Sequence, residues 1–196
     1  MKFKLMVVNT FCMLILFTSQ AFGETVLPYY NSNLKSGSEE RYQDSMINGY
    51  YKYVSPRWAY SFDVPKGFNY VVSIPTNGAG ITIAWAKKGT VLRTSGQHLG
   101  VSSGREMYSN EIRQLGRKVT YSNYQADGYV ISWLEPGDGI FSADMIFYKR
   151  VAFNEKYVNQ FTLEYPLREK AYFDPIIKTM ERSFIPGWKS GRTIYG

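Results

Sequence analysis

Polar and apolar side chains alternate along residues 157–165, with the period of two that is typical of a half-buried β-strand. Shortly afterwards, Asp174 and Pro175 indicate the start of a helix, because Asp caps free backbone N–H groups and Pro is tolerated at the first helical position. The apolar stripe that follows consists of Ile177, Met180 and Phe184, with Ile176 on its flank. The pattern predicts a strand in the middle of a sheet and a helix that covers one face of that sheet.

Short apolar runs separated by turn residues predict further strands. These runs are residues 50–54, 58–64, 80–86, 90–95, 119–124, 129–135 and 140–151, and residues 69–74 indicate a strand or an extended loop. The clearest hairpin joins residues 80–86 to residues 90–95, because Lys87-Lys88-Gly89 is typical of the turn between two strands.

One helix is predicted among these strands. Ser103 and Glu106 have the spacing of a capping box, in which each side chain satisfies a backbone N–H group of the first turn, and Gly116 is placed to end the helix. Its apolar positions are Tyr108, Ile112 and Leu115. Hairpins with one inserted helix and one terminal helix predict an α+β fold, a mainly antiparallel sheet with helices packed on it.

The first residues are typical of an export signal. Two lysines precede an apolar run at residues 5–17, and Ala21 and Gly23 form a small-residue cleavage site. The run is shorter than the roughly 20 residues that a helix needs to cross a bilayer. We therefore expect residues 1–23 to be a signal peptide and the protein to be periplasmic or secreted, without a membrane span after cleavage.

The rest of the chain divides into three segments by composition. Residues 24–48 are polar and contain few branched apolar residues, so we expect a flexible arm with one helical turn at residues 39–46. Residues 49–185 contain the predicted strands and helices, and we expect them to form a single α+β domain. Residues 186–196 are predicted to be a C-terminal tail.

Charge and cysteine content narrow the function classes. Cys12 is the single cysteine and lies in the predicted signal, so the mature chain is expected to have neither a disulfide nor thiolate chemistry. The formal net charge is +7 for the whole chain and falls to about +5 without the two signal lysines. Because this charge is scattered and the chain is predicted to be exported, we expect no binding to nucleic acid.

The catalytic inventory is small. His98 is the single histidine, and the spacings GxSxG, HExxH and CxxC do not occur. The carboxylates on or near predicted strands are Asp63, Glu135, Asp138, Asp144 and Glu164. We expect no catalytic residues, no metal site and no cofactor. The alternative is a small envelope glycan or peptide hydrolase that uses His98 or a carboxylate pair.

Tyrosine is unusually frequent, with 17 residues that all follow the predicted signal. Packing in a sheet accounts for most of them, but residues 50–60 are so rich in aromatic side chains that a single strand cannot turn all of them inward. Tyrosine and tryptophan beside arginine are typical of protein-binding surfaces. The predicted partner-binding residues are Tyr51, Tyr53, Arg57, Trp58 and Tyr60.

Five segments carry a resemblance to a known group of proteins. They are residues 53–68 (YVSPRWAYSFDVPKGF), 76–81 (TNGAGI), 161–166 (FTLEYP), 173–176 (FDPI) and 182–184 (RSF). In these segments the chain resembles small exported bacterial proteins with PsbP-like and DcrB-like domains. The resemblance implies an antiparallel sheet with helices on both sides, that is, an α/β/α sandwich, and a role in binding or assembly rather than catalysis. Relatives often have Asn-Gly-Asp-Gly where this chain has Asn77-Gly78-Ala79-Gly80, so the carboxylate of that loop is missing here.

These observations predict an exported binding or accessory protein that acts through a protein partner in the envelope. Its role would be that of an assembly factor or of a neutraliser of an envelope-directed toxin, and nothing in the residues separates the two. A second alternative is a glycan- or lipid-binding module that uses Trp58, Trp85 and the faces of the tyrosines.

Overall fold

The computed structural model describes residues 41–138 and 142–195, and in these residues ten strands form two antiparallel sheets. The smaller sheet has the order β1-β2-β3, with β1 at Arg41–Asp44, β2 at Tyr50–Val54 and β3 at Ser61–Pro65. The larger sheet comprises β4 (Tyr70–Ser73), β5 (Thr82–Trp85), β6 (Thr90–His98), β7 (Val119–Gln125), β8 (Gly128–Glu135), β9 (Met145–Phe153) and β10 (Tyr157–Pro166). Its spatial order is β4-β5-β6-β10-β9-β8-β7.

Strand β10 is the central strand of the larger sheet, as its alternating pattern predicts. It pairs antiparallel with β6 on one side and with β9 on the other. Phe161 and Leu163 point to one face and are fully buried, and the ring of Phe161 stacks on that of Phe62 in β3 at a centroid distance of 5.0 Å. The smaller sheet therefore packs on this face of β10.

The terminal helix α2 (Lys170–Ser183) covers the same face. Its buried residues are Phe173, Ile176, Ile177 and Met180, which pack into the main hydrophobic core with side chains of β3 and β10. The predicted start at Asp174 and Pro175 is wrong, because a short 3₁₀ turn at Leu167–Glu169 leads directly into the helix at Lys170. Pro175 lies inside the helix at an exposed position and borders a pocket between α2 and the turn after β3.

Helix α1 (Gly104–Leu115) packs on the opposite face of the larger sheet. The predicted capping box is confirmed: Ser103 Oγ accepts a hydrogen bond from the N–H of Glu106 at 3.2 Å, and the Glu106 carboxylate accepts one from the N–H of Ser103 at 2.8 Å. Gly116 ends the helix with a φ of +55°. The helix covers a second core, formed by Tyr129, Ile131, Val151, Phe153 and Val158. The α+β prediction with helices on both sides of an antiparallel sheet is therefore confirmed.

Several predicted boundaries differ from the structure. The predicted helical turn at residues 39–46 is wrong where the structure describes it, because residues 41–44 form β1 and pair with β2. The strand predicted at residues 58–64 begins only at Ser61, and the one predicted at residues 140–151 begins at Met145. The predicted signal peptide, the arm up to residue 40 and residues 139–141 lie outside the described residues.

The predicted C-terminal tail folds back onto the domain through its described residues. Ile185, the residue before the tail, pairs with Ser61 as an isolated bridge, and within the tail the N–H of Gly187 donates to Asn159 Oδ1 at 2.8 Å. Lys189 Nζ lies 2.9 Å from the carboxylate of Asp127 in the β7–β8 turn. These contacts attach the end of the chain to both sheets.

Candidate functional site

The structure places four of the five predicted partner-binding residues in the core. Tyr53 and Tyr60 are fully buried, and Tyr51 and Trp58 are 5% and 4% exposed. The interpretation of this run as a surface is therefore wrong for these four side chains. Whether Arg57, which is half-buried, contacts a partner stays a prediction.

The aromatic run can be buried because it is not one strand. After β2 the chain turns tightly: Ser55 accepts a backbone hydrogen bond from Ala59 at 2.9 Å, and Ala59 adopts a positive φ of +58°. The chain then returns as β3, so side chains from both arms of the turn converge on the core. There the hydroxyl groups of Tyr53 and Tyr60 both form hydrogen bonds with the hydroxyl group of Thr94 in β6, with oxygen–oxygen distances of 3.2 and 3.0 Å.

Trp58 occupies a space that two glycines leave open. A Cβ atom on Gly96 would lie 2.2 Å from Cγ of Trp58, and one on Gly187 would lie 1.9 Å from the Trp58 carbonyl oxygen. The indole ring also packs edge to face against His98 and Tyr157, at centroid distances of 5.4 and 6.3 Å. This packing assigns Trp58 a structural role.

Arg57 is held by the loop before β5. Its guanidinium donates a hydrogen bond to the backbone oxygen of Asn77 and lies 5.4 Å from the centroid of the Trp58 ring. The backbone oxygen of Arg57 accepts a hydrogen bond from the N–H of Tyr195 at 2.8 Å. Arg57 thereby links the loop and the end of the chain to the turn before β3.

The residues of the hydrolase alternative do not converge. His98 is exposed at the end of β6, whereas Asp63 is buried in the smaller sheet, 3.8 Å from Lys52 Nζ. Glu164 pairs with Arg93, and Glu135 pairs with Lys118. The two remaining carboxylates accept hydrogen bonds from backbone N–H groups of their own loop. Asp138 accepts one from Ser142, and Asp144 accepts one from Gly137, both at 2.8 Å. Within residues 41–138 and 142–195, no three His, Cys, Asp or Glu side chains are grouped as metal ligands.

A groove of about 900 Å³ lies between α2 and strands β7, β8 and β9. It exists because α2 covers the centre of the larger sheet and leaves the outer strands uncovered on that face. The floor includes Val130, Leu134 and Ile146, and one wall is formed by Ile177, Lys178, Glu181 and Arg182 of α2. The opposite side is β7, which contributes Thr120, Tyr121, Asn123 and Gln125.

Basic side chains outnumber acidic ones around this groove. The basic residues are Arg150, Lys170, Lys178 and Arg182, and the acidic residues are Asp174 and Glu181. Lys170 and Asp174 neutralise each other at 2.7 Å. Lys178 and Arg182 are exposed and have no ion pair among the described residues, so two positive charges stand on the α2 wall.

Two tyrosines, Tyr148 and Tyr165, also line the groove. Burial, reinforced by the neighbouring Glu181 carboxylate, raises the pKa of Tyr148 above its ordinary value. Burial also raises the pKa of Tyr165 to about 12, with a smaller contribution from the charge of Asp174. Both hydroxyls therefore remain protonated at neutral pH. Because Tyr165 is 2% exposed and the Tyr148 hydroxyl bonds to Glu181, the exposed donors at this groove come from Lys178 and Arg182, and they suit a ligand rich in carboxylate oxygen.

Sequence analysis missed this groove. The available signal was the spacing of Lys178 and Arg182, which are four residues apart and therefore share one side of α2. That spacing is equally typical of an ordinary solvent-facing helix. Only the packing of α2 across the sheet shows that these residues border a groove. In the described part of the chain, no helix is long and apolar enough to span a membrane.

No protein-family model matches this chain, and no curated protein matches it. Among solved structures, the chain is similar to the Ran-binding protein Mog1p of Saccharomyces cerevisiae, with 10% identity and a TM-score of 0.47 over 65% of this chain and 89% of that one. It is also similar to the cyanobacterial PsbP (CyanoP) of Synechocystis, with 9% identity and a TM-score of 0.48 over 76% of this chain and 99% of that one. At these identities and TM-scores, neither protein's function nor any residue role transfers to this chain.

Proposed function

We propose that this protein is an exported, non-enzymatic binding protein that acts in the cell envelope through a protein partner, and that the partner docks in the groove between α2 and β7–β9. The observation that carries the proposal is the combination of an open, partly apolar groove with two cations on its rim that have no ion-pair partner among the residues the structure describes. Protein-binding surfaces are enriched in Tyr and Arg and have an apolar centre with a polar rim.

The location in the envelope rests on the apolar run and cleavage site of residues 1–23. Within this class, the protein either assists the assembly of an envelope complex or neutralises an envelope-directed toxin. The identity of the partner decides between these roles, so identification of the partner is the first experiment.

The experiment is a crosslinking capture from envelope extract with the purified protein as its host exports it, read by mass spectrometry. Wild type is compared with Lys178→Gln/Arg182→Gln, which removes the two rim charges. Lys87→Gln/Arg117→Gln is the matched control, because it removes one Lys and one Arg from exposed positions outside the groove. We expect one dominant protein whose recovery falls at least tenfold in the groove variant and is retained in the control. Equal recovery with all three proteins would show that the groove is not the docking site.

A second candidate is a glycan-binding role, which one observation favours. Tyr50, Trp85 and Tyr172 border a smaller pocket of about 440 Å³ between α2 and the turn after β3. Ligand sites are lined mainly by apolar and aromatic side chains with a few polar groups. The aromatic lining of this pocket suits the apolar face of a sugar ring, and polar groups at the rim of the pocket suit its hydroxyl groups. Intrinsic tryptophan fluorescence, to which Trp85 contributes together with three other tryptophans, is measured during titration with soluble cell-wall fragments in wild type and in Tyr172→Ala to test this role. No change in wild type would eliminate it.

A further inference from the structure

Strand β7 is an outer strand of the larger sheet, and within the described residues it pairs on one side only, with β8. Its sequence, Val-Thr-Tyr-Ser-Asn-Tyr-Gln, contains no charged residue and no proline. Edge strands are usually protected from further pairing by charges, by proline, by shortness or by a bulge. The irregularity in β7 lies at its start, between Val119 and Tyr121, so residues 122–125 present a regular edge.

The three other outer strands, β1, β3 and β4, differ from β7 in this respect. β4, at the opposite edge of the same sheet, has four residues and a register shift between Val71 and Ser73. β1, at one edge of the smaller sheet, also has four residues and carries Arg41 and Asp44 at its two ends. β3, at the other edge of the smaller sheet, contains Asp63 and Pro65. Among these four edges, only β7 combines seven residues with the absence of both charge and proline.

The register of β7 shows which backbone groups are available. Gln125 pairs with Gly128 across a two-residue turn, and Asn123 pairs with Val130. In an antiparallel pair, alternate residues direct their N–H and C=O groups towards the partner strand and away from it. Gln125 and Asn123 therefore bond to β8, whereas the backbone groups of Ser122 and Tyr124 point outward.

The two faces of β7 have different surroundings. On one face, Ser122 Oγ accepts a hydrogen bond from the Tyr108 hydroxyl of α1 at 3.0 Å, and the rings of Tyr108 and Tyr124 lie 5.3 Å apart. Helix α1 thus holds the strand in place. On the other face, Asn123 and Gln125 line the groove that faces α2. A strand added outside β7 would direct every second side chain towards the groove side.

We propose that β7 is a docking strand, to which an extended segment of the partner protein adds as an eighth strand with acidic side chains turned towards the groove. This inference rests on the proposed function and specifies its mode of recognition. Backbone hydrogen bonds to Ser122 and Tyr124 supply the pairing, and alternate side chains supply the specificity. Lys178 and Arg182 stand across the groove on α2 and have no ion-pair partner among the described residues, so their positive charge favours carboxylates on the side of the added strand that faces the groove.

Charge argues against a second copy of this chain as the occupant. Antiparallel pairing of two β7 edges would place two grooves side by side, each with four basic and two acidic side chains. Like charges that meet across an interface oppose association. The favoured occupant is therefore an acidic segment of a different protein.

The test uses the purified protein as its host exports it and a ten-residue peptide of alternating glutamate and valine with blocked ends. Ser122→Pro is compared with Ser122→Ala. Both lose the Ser122 hydroxyl, but only proline removes the outward N–H, and proline is tolerated on an edge where that group faces solvent. We expect the peptide to bind Ser122→Pro at least tenfold more weakly than Ser122→Ala. In wild type, it should slow amide hydrogen exchange at Ser122 and Tyr124 at least tenfold, and a lysine-valine peptide should not.

The alternative outcomes separate this inference from the proposed function. If Ser122→Pro and Ser122→Ala bind equally while Lys178→Gln/Arg182→Gln loses the peptide and the captured partner, the groove binds without strand addition and the inference is wrong. If neither the peptide nor any envelope protein binds, both proposals fail. If the protein itself dimerises with concentration and Ser122→Pro abolishes the dimer, the occupant is a second copy and the acidic-segment proposal is overturned.

Discussion

Replacement of Trp58 by alanine tests whether the aromatic run near β2 and β3 is core or contact surface. Trp58 is 4% exposed and packs against His98 and Tyr157 at 5.4 and 6.3 Å, with Gly96 directly against its ring. Trp58→Ala leaves a cavity that β6 cannot fill, because the strand pairs with a neighbour on each side. Truncation of a buried Trp to alanine costs about 3–5 kcal/mol of unfolding free energy.

This loss is measurable as a shift in thermal midpoint. For a domain of about 150–250 residues, 1 kcal/mol corresponds to about 2–4 °C, so the midpoint should fall by about 6–20 °C. Far-UV circular dichroism and urea unfolding with a fixed m-value provide the two readouts. Circular dichroism is preferred to fluorescence because the substitution removes an emitting residue.

Trp133→Ala is the matched control for this measurement. Trp133 is half-buried and stacks on Phe147 at 4.9 Å, outside the main core. Loss of such a stacked pair costs about 0.5–1.5 kcal/mol of unfolding free energy, in addition to the cost of the apolar area that is no longer buried. If Trp58→Ala were no more destabilising than this control and instead abolished capture of the envelope partner, Trp58 would be a contact residue and its placement in the core would be wrong.

Three further substitutions test local features of the fold. Phe184→Ala removes a half-buried ring that packs on the core at the end of α2. We expect it to lower the unfolding free energy, measured with urea, by about 3 kcal/mol, the lower end of the range for buried Phe. An unchanged unfolding midpoint would contradict the packing of α2. Ser103→Ala removes one side of the capping box of α1 and should cost about 1 kcal/mol, with hydrogen exchange accelerated in the first turn; uniform exchange across the domain would contradict a capping effect. The hydrogen bond from Lys189 lowers the pKa of Asp127, so this pair stabilises the folded state above the unfolded-state pKa of about 3.9 and the contribution is lost as pH falls through the lower folded-state pKa. In an NMR titration, Lys189→Met should return the Asp127 pKa towards its ordinary value, and an unchanged Asp127 pKa would show that the pair does not form in solution.

Signals that depend on a few neighbouring residues predicted the local structure correctly. Ser103, Glu106 and Gly116 identified both ends of α1, because a capping box and a glycine stop act within one helical turn. The alternation at residues 157–165 identified β10 and its buried face, because side-chain direction in a strand depends only on the period of two.

The start of α2 shows where a local signal was overridden. Asp174 and Pro175 have the chemistry of a first turn, yet the helix begins at Lys170. One additional turn places Phe173 fully inside the core, and Lys170 pairs with Asp174 on the exposed side. Burial of an aromatic ring in tertiary packing outweighs the preference of proline for the first helical position.

The fold class could be predicted from the amino-acid pattern, because hydrophobic periodicity, caps and turn residues are properties of short stretches of chain. Which side chains are buried and which border a groove depends on how the elements pack. The tyrosines and tryptophan of residues 51–60 are core because a turn brings two strands together, and β7 is an edge because the order of strands places it last. Lys178 and Arg182 border a groove because α2 crosses the sheet beside β9. Each of these facts depends on contacts between residues far apart in the chain, which no local pattern records.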